Sequence, residues 1–217
     1  MRRKLLLLPT GFLFLIALGF TSQVSVQRVG AAGATRETQP VYTTPDGFLL
    51  GPAVPGAYAT LVRNKNGLTT NVHTTVMSGA GPYTVWWVIF NDPASCQFYL
   101  CTYDFPDLVV NATGKIVPAG GAANFGAWVG PGGPYSGEVI LGDPQPGLTN
   151  PSGALIVLVV RYHGPAIPGQ IPEQLSTFFG GGCGFDAMGN PTGPCVDEQL
   201  VVFPGDCSGD CLDPSKL

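Results

Sequence analysis

Eight consecutive residues, Tyr83-Thr84-Val85-Trp86-Trp87-Val88-Ile89-Phe90, are all aromatic or β-branched. The run is too short for a core helix of ordinary length and rich in strand formers, so it predicts a β-strand. Side chains alternate along a strand, which sends Trp86 and Trp87 to opposite faces and demands cover on both. A second run, Ala154-Leu155-Ile156-Val157-Leu158-Val159-Val160-Arg161-Tyr162-His163, stays apolar until its end. It too predicts a strand covered on both sides.

The rest of the chain is consistent with short strands between many turns. It has 217 residues, only 11% charged and 45% hydrophobic, with 31 Gly and 21 Pro that follow no collagen-like period. This length can bury a sizeable core without relying wholly on crosslinks. The expected fold class is all-β: a Greek-key β-sandwich or related open barrel of about seven to nine strands, with a disulfide-rich C-terminal segment packed across it. Four stretches divide the chain: 1–34 as a signal peptide, 35–56 as an extended, proline-broken lead, 57–182 as the β-sandwich domain, and 183–217 as a cysteine-containing acidic segment on the same domain. Within the domain, residues 57–63 and 68–77 form a hairpin around Asn64-Lys65-Asn66-Gly67, with Leu68, Thr70, Val72, Thr74 and Val76 on one face. Pro172 opens one short helical turn that ends at Gly180-Gly181-Gly182.

Met1-Arg2-Arg3-Lys4 followed by an apolar stretch to Phe20 has the layout of an export signal, with cleavage after Ala31, Ala32 or Ala34. The Arg2-Arg3 pair leaves the twin-arginine route open beside the general one, and an uncleaved anchor is a further alternative. The expected location is secreted or periplasmic, with no transmembrane span in the mature chain. Beyond the signal, six basic residues (Arg36, Arg63, Lys65, Lys115, Arg161, Lys216) face fourteen acidic ones, so nucleic acid is a poor partner. An even set of cysteines, Cys96, Cys101, Cys183, Cys195, Cys207 and Cys211, predicts disulfides, with Cys96 to Cys101 the simplest closure. A zinc site is not indicated, because there is no Cys-x-x-Cys and neither histidine is near a cysteine in sequence.

Chemistry-bearing residues are few. Only His73 and His163 are available as imidazoles, and His163 ends an apolar strand beside Arg161, a position where binding residues sit on a rigid scaffold. Asp206, Asp210 and Asp213 surround a Ser-Gly turn and supply hard oxygen donors suited to calcium, although the twelve-residue calcium-loop pattern is incomplete. The candidate metal residues are therefore Asp206, Asp210, Asp213 and His163, with calcium the candidate ion and no other cofactor indicated. No Gly-x-Ser-x-Gly elbow occurs, and no catalytic residue is assigned. Phe98, Tyr99, Tyr103 and Phe105 either pack over a sheet edge or form a recognition rim.

The runs Tyr83 to Asn91, Ala112-Thr113-Gly114, Ala123-Asn124-Phe125-Gly126-Ala127 and Val159-Val160-Arg161-Tyr162-His163-Gly164-Pro165-Ala166-Ile167-Pro168-Gly169 resemble an uncharacterised family of exported bacterial proteins over about residues 68–183. That resemblance implies export but brings no activity. The strand ending His163-Gly164-Pro165-Ala166 is also loosely similar to the strand-and-loop signature of chordin-type extracellular β domains, over too few residues to carry a ligand across.

The leading expectation is an exported extracellular or periplasmic binding or structural β module whose partners are polysaccharide or protein at the cell surface. The alternative is a metal-dependent or carboxylate-based hydrolase acting on cell-surface material. It needs His163, Arg161 and at least two carboxylates to converge in a cleft. A third class, an oligomeric coat protein, would expose flat strand edges or a large apolar patch.

Overall fold

A computed structural model of the chain describes residues 29–31, 33–45, 50–76, 78–96, 101, 104–142, 147–186 and 191–207. The signal segment thus lies almost wholly outside the described residues. The strands are β1 (Val29–Ala31), β2 (Ala34–Thr43), β3 (Ala53–Asn64), β4 (Gly67–Thr75), β5 (Gly81–Phe90) and β6 (Leu108–Val117). They continue as β7 (Ala122–Val129), β8 (Val139–Leu141), β9 (Leu155–Tyr162), β10 (Gly184–Phe185), β11 (Pro191–Thr192) and β12 (Val196–Phe203). The only α-helix among the described residues is α1 (Ile171–Gln174), with Pro172 in its first turn.

All the long strands belong to one antiparallel sheet in the order β7-β4-β3-β2-β12-β9-β5-β6-β8, with β1 added to β2. The sheet curls into a half-barrel, the open-barrel form of the expected all-β architecture rather than two stacked sheets. A side-chain bridge records the curl: Thr74 of β4 donates to Gln199 Oε1 of β12 at 2.7 Å, although β3 and β2 lie between those strands in the sheet.

The two tryptophans take opposite faces. Trp87 joins the inner core with Val85, Ile89, Leu158, Phe125 and Leu61, whereas Trp86 joins a second cluster on the outer face with Val88, Val157, Val159 and Leu200. Both clusters are needed because β5 and β9 are buried along their whole lengths. The inner face is covered by the curl itself. The outer face is covered by a strap, residues 164–183, which carries α1 and Phe178 across β5, β6 and β9. Phe178 meets the Trp86 ring edge-on at 5.1 Å, and Gln174 Nε2 donates to the carbonyls of His163 at 3.2 Å and Pro165 at 3.0 Å.

The strap lies so close to β6 that a Cβ on Gly114 would fall 2.3 Å from the Leu175 carbonyl oxygen, a backbone atom that cannot swing away. Gly114→Ala is therefore expected to cost about 1–3 kcal/mol by overpacking, read by urea unfolding. Gly126→Ala on β7 is the control, because the nearest atom to its new Cβ is 4.0 Å away. Equal midpoints for the two variants would show that the strap does not press on β6.

The predicted hairpin forms as β3 and β4, and Leu68, Thr70, Val72, Thr74 and Val76 are all buried on its inner side. The domain boundaries are different from those expected. The stretch 35–56 is not a lead: it contains most of β2, which lies inside the sheet between β3 and β12. Its inward residues include Glu37 and Gln39 beside Val41, so a half-polar inner face hid the alternation. Residues 196–203 are likewise not an appendage, because β12 lies between β2 and β9 and bonds to both. The domain runs from β2 to β12. β1 falls inside the stretch assigned to the signal, so cleavage after Ala31, Ala32 or Ala34 would remove it and spare nearly all of β2.

Candidate functional site

Consecutive strands β6 and β7 are joined by a tight turn yet do not pair, because the half-barrel fails to close between them. One side-chain contact spans this seam: Lys115 Nζ of β6 donates to the Asn124 carbonyl of β7, with the ammonium 5.2 Å from the centre of the Phe125 ring. Further along, the seam opens into a cavity of about 90 Å³. Trp87 of β5 and Val110 and Asn111 of β6 line it, together with Trp128 of β7 and Pro134 and Tyr135 of the following loop.

Each wall is positioned by local geometry. Trp128 alternates outward from the buried Phe125 and Val129 and is 64% exposed. Its indole lies over Gly130, where a Cβ would approach the ring to 2.5 Å, so only glycine permits that placement. The Tyr135 hydroxyl accepts from the Leu148 N–H at 2.9 Å, and the Gly132 N–H donates to the Leu148 carbonyl at 3.1 Å, which docks the loop.

Two residues that line this cavity each hold a buried polar atom with no hydrogen-bond partner among the described residues: Trp87 Nε1 and Asn111 Nδ2. A buried donor left unpaired costs about 1–3 kcal/mol, and such a group needs an explanation. Both are donors, so the complement is a group that presents acceptor oxygens. Among the described residues no Asp, Glu, Lys, Arg or His lines the cavity, which favours an uncharged complement.

A second polar cluster lies under the strap. His163 is fully buried just after β9, with Nε2 2.7 Å from Thr84 Oγ1 and Nδ1 3.2 Å from Cys183 Sγ. Cys183 is bonded to Cys195, and a disulfide sulfur carries no hydrogen to donate. Nδ1–H must therefore be the donor to sulfur, Nε2 the acceptor, and the Thr84 hydroxyl the donor to Nε2. Trp86 Nε1–H donates to Thr84 Oγ1 at 2.8 Å and completes a chain of one polarity. Burial first, and the Arg161 charge second, push the His163 pKa down to about 4, so the ring is neutral near pH 7. Arg161 is engaged separately: it pairs with Asp197 at 2.6 Å and lies over the Phe178 ring at 3.8 Å.

Of the residues named as one metal set, the two described ones, Asp206 and His163, lie at opposite ends of β9. The Asp206 N–H bonds to the Gly153 carbonyl before β9 starts, while His163 follows the other end of that strand. An extended strand of this length separates them by about 25 Å. Asp206 is exposed, and Asp210 and Asp213 lie outside the described residues. His73 is held by Asn124 Oδ1 at 2.7 Å and is close to the Tyr58 ring. Of the aromatic excursion, Phe105 is 90% exposed, and Phe98, Tyr99 and Tyr103 lie outside the described residues. The Cys96–Cys101 closure forms as expected, and Cys207 is also disulfide-bonded.

Comparison with protein-family models, with curated proteins and with solved structures finds no match to this chain. Sequence reasoning missed the cavity residues Asn111 and Tyr135 altogether. Trp128, a large aromatic at an outward position between Gly126 and Gly130, was the available signal. The proximity of His163 to Cys183 had no signal in the sequence, since it depends on the strap folding back over β9.

Proposed function

We propose that the protein is an exported binding module, acting outside the cytoplasm, whose ligand enters the β6–β7 seam. The observation that carries this reading is the pair of unpartnered donors, Trp87 Nε1 and Asn111 Nδ2, at an uncharged cavity flanked by an exposed indole. A neutral sugar ring of a cell-surface polysaccharide matches that chemistry: its oxygens accept hydrogen bonds, and its apolar face packs on Trp128. Export by the N-terminal signal and membership of the exported bacterial family belong to the same proposal, with the disulfides in support. No helix among the described residues is long and apolar enough to cross a membrane. A hydrolytic site at His163 has less support, because the imidazole is sealed from solvent.

Titration with neutral mono- and oligosaccharides, followed by tryptophan fluorescence and calorimetry, tests the reading. Trp128→Ala is expected to weaken binding at least tenfold, which corresponds to about 1.4 kcal/mol. Asn111→Ala removes an unpartnered donor, so it should change unfolding free energy by less than about 1 kcal/mol while reducing affinity. Saturable binding that ignores both substitutions would place the ligand elsewhere and sink the seam as its site.

A further inference from the structure

We propose that reduction of the Cys183–Cys195 disulfide converts the cluster beneath the strap into a binding site for a zinc-class divalent cation, ligated by both thiolates and His163 Nδ1. In the oxidised protein the three donor atoms already lie within 4.8 Å of one another. Zinc holds sulfur at about 2.3 Å and imidazole nitrogen at about 2.0–2.1 Å, so tetrahedral ligands are roughly 3.5 Å apart. The 3.2 Å between Nδ1 and Cys183 Sγ is close to that spacing. What remains is for the two sulfurs to part once their bond is broken.

Three further features fit this role. A metal-bound histidine donates its other ring N–H to an oriented partner, and Thr84 Oγ1 already sits 2.7 Å from Nε2, itself held by Trp86 Nε1. Cys183 and Cys195 are half-buried, within reach of a reductant, whereas Cys101 is fully buried. The disulfide joins the end of the strap to the residue before β12 and encloses β10 and β11, which form their own two-stranded sheet, so opening it removes no backbone rung of the half-barrel.

The chemistry balances with a dithiol as reductant. The dithiol gives up two electrons and two protons and becomes a disulfide, while Cys183 and Cys195 become thiols. Cation binding then releases both thiol protons. The imidazole stays neutral throughout: its hydrogen moves from Nδ1 to Nε2 and is donated to Thr84 Oγ1, whose own hydroxyl hydrogen rotates away from the ring, while Nδ1 takes the metal. Solvent fills the fourth position.

The test uses the full chain, reduced with dithiothreitol, desalted without oxygen and titrated with Co²⁺ as a spectroscopic stand-in for zinc. The expected result is one equivalent bound, with thiolate-to-cobalt charge-transfer absorption, and no such absorption from the oxidised protein. Cys183→Ser/Cys195→Ser, which keeps the other cysteines, should bind at least 100-fold more weakly. His163→Gln should lose at least tenfold and alter the absorption. Thr84→Val, which keeps every ligand, should lose about tenfold by leaving Nε2–H unpaired. The proposal is overturned if the reduced protein shows no thiolate band, or if the double serine variant keeps the band through the remaining cysteines. It is equally overturned if affinity ignores both His163→Gln and Thr84→Val, or if reduction alone abolishes the β-sheet circular dichroism.

Discussion

Arg63→Ala is expected to lower the unfolding free energy by about 3–5 kcal/mol, the cost of stranding a buried charge. Arg63 and Glu37 are 1% and 2% exposed, and their Nε–Oε1 contact of 2.7 Å lies inside the half-barrel between β3 and β2. The guanidinium also donates to Ala154 O at 2.8 Å, Pro151 O at 3.3 Å and Phe203 O at 3.2 Å. One side chain thus joins β2 and β3 to the start of β9 and the end of β12. Alanine would leave the Glu37 carboxylate and these carbonyls without a donor. Arg63→Lys should recover little, because one ammonium cannot reproduce a planar fork reaching several acceptors. Glu37→Gln/Arg63→Met should recover much of the loss, since it removes both charges together. Urea unfolding of the four proteins measures this, and a loss below about 1 kcal/mol in Arg63→Ala would show that the pair contributes nothing.

Acidification should weaken the fold through His163. Its folded-state pKa of about 4 lies below the unfolded value of about 6.5. Between those values the unfolded chain binds the proton and the folded protein does not, so stability falls as the pH falls. The effect begins near pH 6.5 and is complete near pH 4. At 1.36 kcal/mol per pH unit it amounts to about 3 kcal/mol. Carboxylates also titrate near the lower end of this window, so the measurement is the difference between wild type and His163→Gln. Unfolding free energies should converge as the pH drops from 7 to 4. Parallel curves would mean that His163 accepts a proton in the folded protein without penalty.

The strands built from apolar side chains were legible in the sequence. Tyr83 to Phe90 and Leu155 to Tyr162 announced a sheet covered on both sides, and the β3–β4 hairpin followed from its turn residues and the alternation of Leu68 to Val76. What escaped was polar and long-range. β2 turns Glu37 and Gln39 inward, and the partner of Glu37, Arg63, is supplied by β3, so no local pattern marked it as central. The candidate sites escaped for a related reason. The His163–Cys183 contact spans 20 residues and a reversal of the strap, and the cavity draws on three strands and a loop. Spacing in sequence could not show the proximity of His163 to Cys183, because a chain folding back on itself makes neighbours of its own.

The position of β12 governs when this protein can fold. Without it the sheet is two separate ribbons, β7-β4-β3-β2 and β9-β5-β6-β8, each ending in an unpaired edge at β2 and β9. The segment that joins them follows every other strand of the sheet in sequence, so both ribbons emerge during synthesis before residues 196–203 can pair with their edges. Pairing of β12 with β2 joins segments about 155 residues apart in sequence, and contacts of such long range are the slow ones to form.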